Sequence, residues 1–344
     1  MRAFRPRPFL RGGHLQTLLG YWSRRWLRWT LGTEDLVVDV PGGVRLLVRA
    51  SWQPDRETRP TLVLVHGLGG ADRSTYSIAT GRVAWDLGWN VARMNMRGAG
   101  ESETLCARLY HAGVDTDLLA VLEAVAARTP RLAPVGFSLG ANLVLLTLGR
   151  QAARLPAGVF AAAAVSPPLD LAACADALGR RGNRVYERRY VRDLQSAYRR
   201  RQSRLPELYA RGREQGLRSV REYDDAITAR YGGFRDAADY YERSSAGPLL
   251  VRIDRPTLVL AAADDPMIPG ESVARWPLPP SGLVRREVLP TGGHVGFVAP
   301  TSAPGRFWAA ERVMEFLEGV RREAPATADA IAGRSPRPYQ ARER

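Results

Sequence analysis

A serine hydroxyl is a weak nucleophile until the backbone thrusts it out of its turn and a base stands beside it. Gly136-Phe137-Ser138-Leu139-Gly140 has the form G-x-S-x-G, preceded by a short extended run at 131–135 and followed by an apolar stretch at 139–148 rich in helix formers. A sharp strand-to-helix turn exposes the serine only if its flanking residues are small, and Gly136 and Gly140 supply that space. Ser138 is therefore the candidate nucleophile. A helix beginning at Leu139 points free backbone N–H groups, and the positive end of its dipole, toward any oxyanion formed there.

The base must come from His14, His66, His111 or His294. His294 lies in Pro290-Thr291-Gly292-Gly293-His294-Val295-Gly296, directly after the last core strand, and chain order Ser…Asp…His puts the base last. The acid belongs between them, at a strand end. Asp264 and Asp265 both qualify, and the Asp-x-x-x-Pro spacing usual in hydrolases of this chain order, closed here by Pro269, selects Asp265. Asp264 then bonds within the turn and stays the alternative acid. Two N–H donors complete an oxyanion hole: Leu139, next to the nucleophile, and Leu68 in the loop His66-Gly67-Leu68-Gly69. His66 is expected to shape that loop rather than move protons. His14 is expected to make a structural contact from the N-terminal arm, and His111, beside Tyr110, to line the pocket.

These residues need a scaffold of alternating strands and helices. Residues 37–40 and 44–52 read as a hairpin joined at Pro41-Gly42-Gly43. Apolar runs at 61–65, 159–165 and 257–261, and extended segments at 89–96, 131–135 and 284–289, read as strands, with helical periodicity at 77–87, 114–127, 139–148 and 306–321. That alternation predicts an α/β fold with a mainly parallel sheet covered by helices on both faces. From about 172 to 245 the chain is polar, arginine-rich and helical in propensity, without a buried-strand run, which reads as a helical cap inserted over the site. The expected organisation is an N-terminal arm at 1–34, a core at 35–171 and 246–322, the cap at 172–245, and a disordered tail at 323–344.

The chain has 344 residues, 45% of them hydrophobic, which suits one large domain with an insertion. Cys106 and Cys174 neither build a disulfide framework nor have metal-ligand spacing. The formal charge of +15 does not signal nucleic acid: all 50 basic residues are arginine, as genomic codon bias would give, and they lack aromatic interleaving of the nucleic-acid-binding kind. No segment approaches the roughly 20 apolar residues of a membrane span, and the N-terminus has no apolar core of a secretory signal. A cytoplasmic location follows. Two stretches bear on peripheral contact with anionic membrane lipid: the aromatic and basic residues at 21–29, and the arginines between Arg180 and Arg204.

The whole pattern resembles the YheT-like branch of the α/β-hydrolases, esterase-type proteins of bacteria with membrane-attached eukaryotic relatives. The resemblance rests on GGHLQT at 12–17, HGLGG at 66–70, NMRGAGES at 95–102, RLYHAGVDTD at 108–117, GFSLGAN at 136–142, SPPLDL at 166–171, DYYERSS at 239–245 and AADDP at 262–266. It implies an α/β-hydrolase fold and a triad of Ser138, Asp265 and His294. The expected function is hydrolysis of a carboxylic ester through an acyl-enzyme, with neither metal nor organic cofactor, and the resemblance implies acyl or lipid-like substrates. Acyl transfer, amide or thioester cleavage on the same triad, and non-catalytic ligand binding on a hydrolase fold are the alternatives.

Overall fold

The computed structural model describes residues 3–300, 302 and 304–323. Its centre is an eight-stranded sheet in the order β1-β2-β4-β3-β5-β6-β7-β8, formed by β1 (Glu34–Val40), β2 (Val44–Ser51), β3 (Thr61–Val65), β4 (Asn90–Met94), β5 (Leu132–Phe137), β6 (Ala162–Val165), β7 (Thr257–Ala262) and β8 (Val284–Leu289). The hairpin pair β1–β2 and the junction β2–β4 are antiparallel; every other pairing is parallel. The expected mainly parallel sheet is what the chain forms. Its strand ends gather at one edge, where the functional loops emerge.

The helices are α1 (Gly13–Arg24), α2 (Thr75–Asp86), α3 (Asp115–Ala126), α4 (Leu139–Arg150), α5 (Leu171–Leu178), α6 (Arg184–Arg204), α7 (Val220–Tyr223), α8 (Arg230–Gly232), α9 (Ala237–Ser244), α10 (Gly270–Ala274) and α11 (Trp308–Glu323), with a π-helical turn, Asp224–Ala229, between α7 and α8. Alternation along the strands divides the core between two faces. In β3, Val63 and Val65 pack with α3 and α4, whereas Leu62 and Leu64 pack with α2 and α11. Helix α4 is buried at every position from Leu139 to Gly149, as a mainly apolar helix must be, and its polar Asn142 and Thr147 both hydrogen-bond to main-chain groups.

Helices α5 to α9 all fall between β6 and β7. A small cluster of their own, centred on Tyr198, Tyr209, Tyr223 and Ile227, holds them together. Asn142 of α4 ties them to the sheet: its amide donates to the Ser244 carbonyl at 2.8 Å, and its carbonyl accepts the Ala246 N–H at 2.9 Å. The arginines of this segment do not form one solvated face. Arg201 is fully buried and donates to the Gly98 and Arg108 carbonyls, both at 3.0 Å, while Arg204 bonds the Glu103 carbonyl. The disordered tail expected at 323–344 lies, from residue 324 onward, outside the described residues.

The sequence reading contains no helix in the N-terminal arm, yet α1 is one. Two glycines at its start and a mixture of Trp and Arg hide its amphipathic face. Each glycine has its own reason: Gly12 takes a φ of 114° that side chains disfavour, and a Cβ on Gly13 would run into the Asp264 carbonyl.

Candidate active site

Ser138 sits between β5 and α4 at φ 52°, ψ −123°, a left-handed conformation that side chains other than glycine rarely adopt. The turn is so tight that a Cβ on Gly136 would strike the Gly140 carbonyl, and one on Gly140 would strike the carbonyls of Val65 and His66. The parallel register of β5 with β6 braces it, with the Ser138 N–H donating to the Val165 carbonyl at 2.9 Å. Strain of this kind, of order 1–3 kcal/mol, persists only where surrounding structure over-determines it.

From the loop after β8, His294 brings Nε2 to 2.9 Å from the Ser138 Oγ. Its Nδ1 lies 2.8 Å from Asp265 Oδ2. The other Asp265 oxygen accepts the N–H groups of Met267 and Ile268 at 2.9 and 3.0 Å, so the carboxylate is held on both sides. A carboxylate can only accept here, which puts the imidazole proton on Nδ1 and leaves Nε2 to accept from the serine hydroxyl. Asp264 points elsewhere. Its oxygens accept the Gly293 N–H at 2.9 Å and the Thr291 hydroxyl at 2.7 Å, clamping the loop that carries His294.

Leu68 and Leu139 both line the cavity at Ser138. Neither of their N–H groups meets a protein acceptor among the described residues, the condition for a donor pair reserved for an oxyanion. The Leu68 loop is fixed on either side: Gly67 N–H donates to the Tyr76 hydroxyl at 2.8 Å and Gly69 N–H to the Tyr110 hydroxyl at 2.9 Å. His66 braces it from within, donating from Nδ1 to the Gly67 carbonyl at 2.8 Å and accepting the Met96 N–H on Nε2 at 3.1 Å. Burial lowers its pKa to about 4, so it stays neutral and structural.

The sequence reading missed what holds His294 in place. The loop around it contains two non-glycine residues at positive φ, Val295 at 50° and Phe297 at 40°. Helix α1 pins it. His294 N–H donates to the Thr17 hydroxyl at 2.9 Å, and that hydroxyl donates to the Gly13 carbonyl at 2.7 Å. Val298 N–H donates to the side-chain Oε1 of the buried Gln16 at 2.8 Å, and Arg24 donates to the Val295 and Gly296 backbone carbonyls at 2.8 and 3.1 Å. From the opposite side, Ser166 accepts the Val295 N–H at 3.1 Å. The GGHLQT run carries this set of contacts, but nothing in its spacing says where a second segment 280 residues away will lie. His14 stacks on Tyr186 of α6, ring centroids 5.7 Å apart, with Nδ1 3.2 Å from its hydroxyl, so the arm also touches the inserted helices.

The cavity at Ser138 measures about 460 Å³, within the roughly 300–1,000 Å³ common for small-molecule sites. Leu171, Cys174 and Leu178 of α5, Tyr190 of α6, and Met267 and Ile268 give it an apolar wall. Tyr110 and His111 line it as expected.

Residues 60–299 match the profile of the α/β-hydrolase fold family. The chain is 34% identical to a protein of Escherichia coli (strain K12) that carries the provisional name esterase YheT, over 88% of this chain and 89% of that one. It is 29% identical to the phospholipase ABHD3 of Mus musculus, over 72% of this chain and 61% of that one. Among solved structures, the Pyrococcus furiosus esterase Pf2001 superposes with a TM-score of 0.55 at 17% identity, covering 85% of this chain and 96% of that one, a likeness of fold.

Proposed function

The chain belongs to the α/β-hydrolase family, in its YheT-like branch, and on that premise we propose that it hydrolyses carboxylic esters with Ser138, His294 and Asp265 as catalytic triad. Ester hydrolysis is the activity in whose terms its bacterial and mouse relatives are named. The observation that carries the triad assignment is the unbroken relay from Ser138 Oγ to His294 to Asp265, at 2.9 and 2.8 Å, inside a cavity. Ser138 attacks the carbonyl carbon while His294 Nε2 takes its proton. The tetrahedral oxyanion rests on Leu68 and Leu139 N–H. As it collapses, His294 returns the proton to the leaving alcohol, and water repeats the sequence on the acyl-enzyme. Asp265 keeps the tautomer and stabilises the imidazolium. Acyl or lipid-like esters suit the apolar wall of Leu171, Leu178, Met267 and Ile268. The test is turnover of a p-nitrophenyl acyl ester together with covalent labelling by a fluorophosphonate, in the wild type beside Ser138→Ala.

If α1 serves to aim His294, then Thr17→Val will leave the His294 N–H without its acceptor and let the imidazole drift. Small misplacements of reacting groups cost up to about 100-fold. We expect kcat to fall about tenfold or more with little change in KM, and Thr17→Ser to restore it; a normal kcat in Thr17→Val would refute this role.

We further propose that α1 and the residues flanking it, Phe9 before and Arg25 and Trp26 after, rest on an anionic bilayer. Among the described residues no helix is long and apolar enough to cross a membrane. However, Phe9, Trp22 and Trp26 are 93%, 58% and 72% exposed, with Leu18 and Tyr21 beside them. The Arg25 guanidinium stacks over both Trp22 and Trp26, at 4.3 and 4.7 Å from the rings. Aromatic rings at an interface with arginines above them match anionic headgroups over acyl chains. The protein should co-sediment with phosphatidylserine-containing vesicles and not with pure phosphatidylcholine, and Trp22→Ala/Trp26→Ala should abolish this. Equal binding by that double variant would exclude α1 as the contact.

A further inference from the structure

The cavity at Ser138 has a second wall that the proposed mechanism leaves unused. Tyr110, Tyr223, Asp224, Thr228, Tyr240 and Tyr241 form it. At its centre Asp224 opens the π-helical turn Asp224–Ala229, which continues directly from α7. Such turns are rare and often occur at functional sites, because the wider ring displaces side chains from ordinary helical spacing. Here Asp224 and Thr228 both reach the cavity.

Asp224 is a carboxyl group inside the protein without a cationic partner. Its Oδ1 accepts the Thr228 hydroxyl at 2.7 Å and its Oδ2 the Tyr241 hydroxyl at 2.8 Å. No arginine forms an ion pair with it among the described residues. Arg221, the cation whose field it feels, bonds Asp176 and the Ala172 carbonyl instead. Burial raises the Asp224 pKa to about 6. A carboxylate offers about four acceptor positions, and two hydroxyls fill only half of them. The residue itself lines the cavity at Ser138. A half-buried acid kept in a cleft without a cationic partner is a functional candidate on physical grounds.

The same wall supplies a donor. His111 accepts the Gly113 N–H on Nδ1 at 3.2 Å, so its proton sits on Nε2. Burial, with Arg97 and Arg243 nearby, lowers its pKa to about 3, so the ring stays neutral. A neutral donor and a carboxylate acceptor together match a hydroxyl, which both gives and takes.

We propose that Asp224 is a specificity-determining residue that receives a hydroxyl group on the alcohol part of the ester, while the Leu171, Leu178, Met267 and Ile268 wall takes the acyl chain. This rests on the esterase reading and names its substrate class: esters of polyhydric alcohols. A site built to bond a substrate hydroxyl rejects the analogue without it far more strongly than an apolar pocket does, since its own polar groups are then left unpaired.

Three butyrate esters with a common acyl chain test this: propyl, 2,3-dihydroxypropyl and choline. The wild type should favour the dihydroxypropyl ester over the propyl ester in kcat/KM by about tenfold or more. Asp224→Asn should bring that ratio close to one, whatever the change in absolute rate, and Tyr241→Phe, which keeps the carboxylate, should retain a preference. A purely structural role for Asp224 would lower both rates and leave the ratio unmoved. An unmoved ratio, or equal rates in the wild type, overturns the proposal, as does a preference for the choline ester that Asp224→Asn removes. A wild type inert on all three esters would overturn the esterase reading and this one with it.

Discussion

Ser138→Ala is expected to lose roughly 10⁴- to 10⁶-fold in kcat on a short-chain ester, the scale on which removing a triad nucleophile acts. It should also lose all labelling by a fluorophosphonate, because no other serine has an imidazole nitrogen within hydrogen-bond reach among the described residues. The magnitude follows from the elbow. A serine held at φ 52° beside a lone-pair nitrogen 2.9 Å away needs no rearrangement to attack. Alanine at that position keeps the strained backbone, so stability should change little, and loss of rate without loss of melting temperature separates chemistry from folding. What remains in the variant is the oxyanion pair and substrate binding. Labelling that persists in Ser138→Ala would remove the premise on which the other residue assignments stand.

How much of this was readable beforehand depends on whether the signal is local. The elbow is local in its pattern: Gly136, Ser138 and Gly140 lie within five residues, and Gly136 has its steric reason on that turn, although Gly140 is also pressed by the Val65 and His66 carbonyls at the end of β3. The strands 61–65 and 257–261 were legible because runs buried on both faces are apolar nearly throughout. Helix α1 was not, since its role is to meet the His294 loop across the whole length of the chain. Thr17, Gln16 and Arg24 look like ordinary surface residues until Gly293 to Val298 are brought against them. Arg201 misled for the complementary reason. In an arginine-rich helix nothing marks the one guanidinium that turns inward to bond Gly98 and Arg108. Asp224 was hidden by its turn, because a π-helical ring breaks the periodicity on which helical faces are read.

The two neighbouring aspartates give the other large effect, and an asymmetric one. Asp265→Asn keeps the size of the side chain but can no longer accept on all sides. Its amide must turn an NH₂ either toward His294 Nδ1, which favours the wrong tautomer, or toward the N–H groups of Met267 and Ile268, which clash as donors. A loss of about 10⁴-fold in kcat is expected, as for the loss of the triad acid elsewhere. Asp264→Asn has an easier accommodation. Its oxygen can keep the Gly293 N–H, and its NH₂ can donate to Thr291, whose hydroxyl rotates to suit. That variant should stay within about tenfold of the wild type. Steady-state rates of the two variants, measured beside their melting temperatures, decide the assignment. If Asp264→Asn proves the inactive one while Asp265→Asn turns over normally, the loop after β7 must rotate during catalysis, and Asp265 serves the turn that Asp264 now holds.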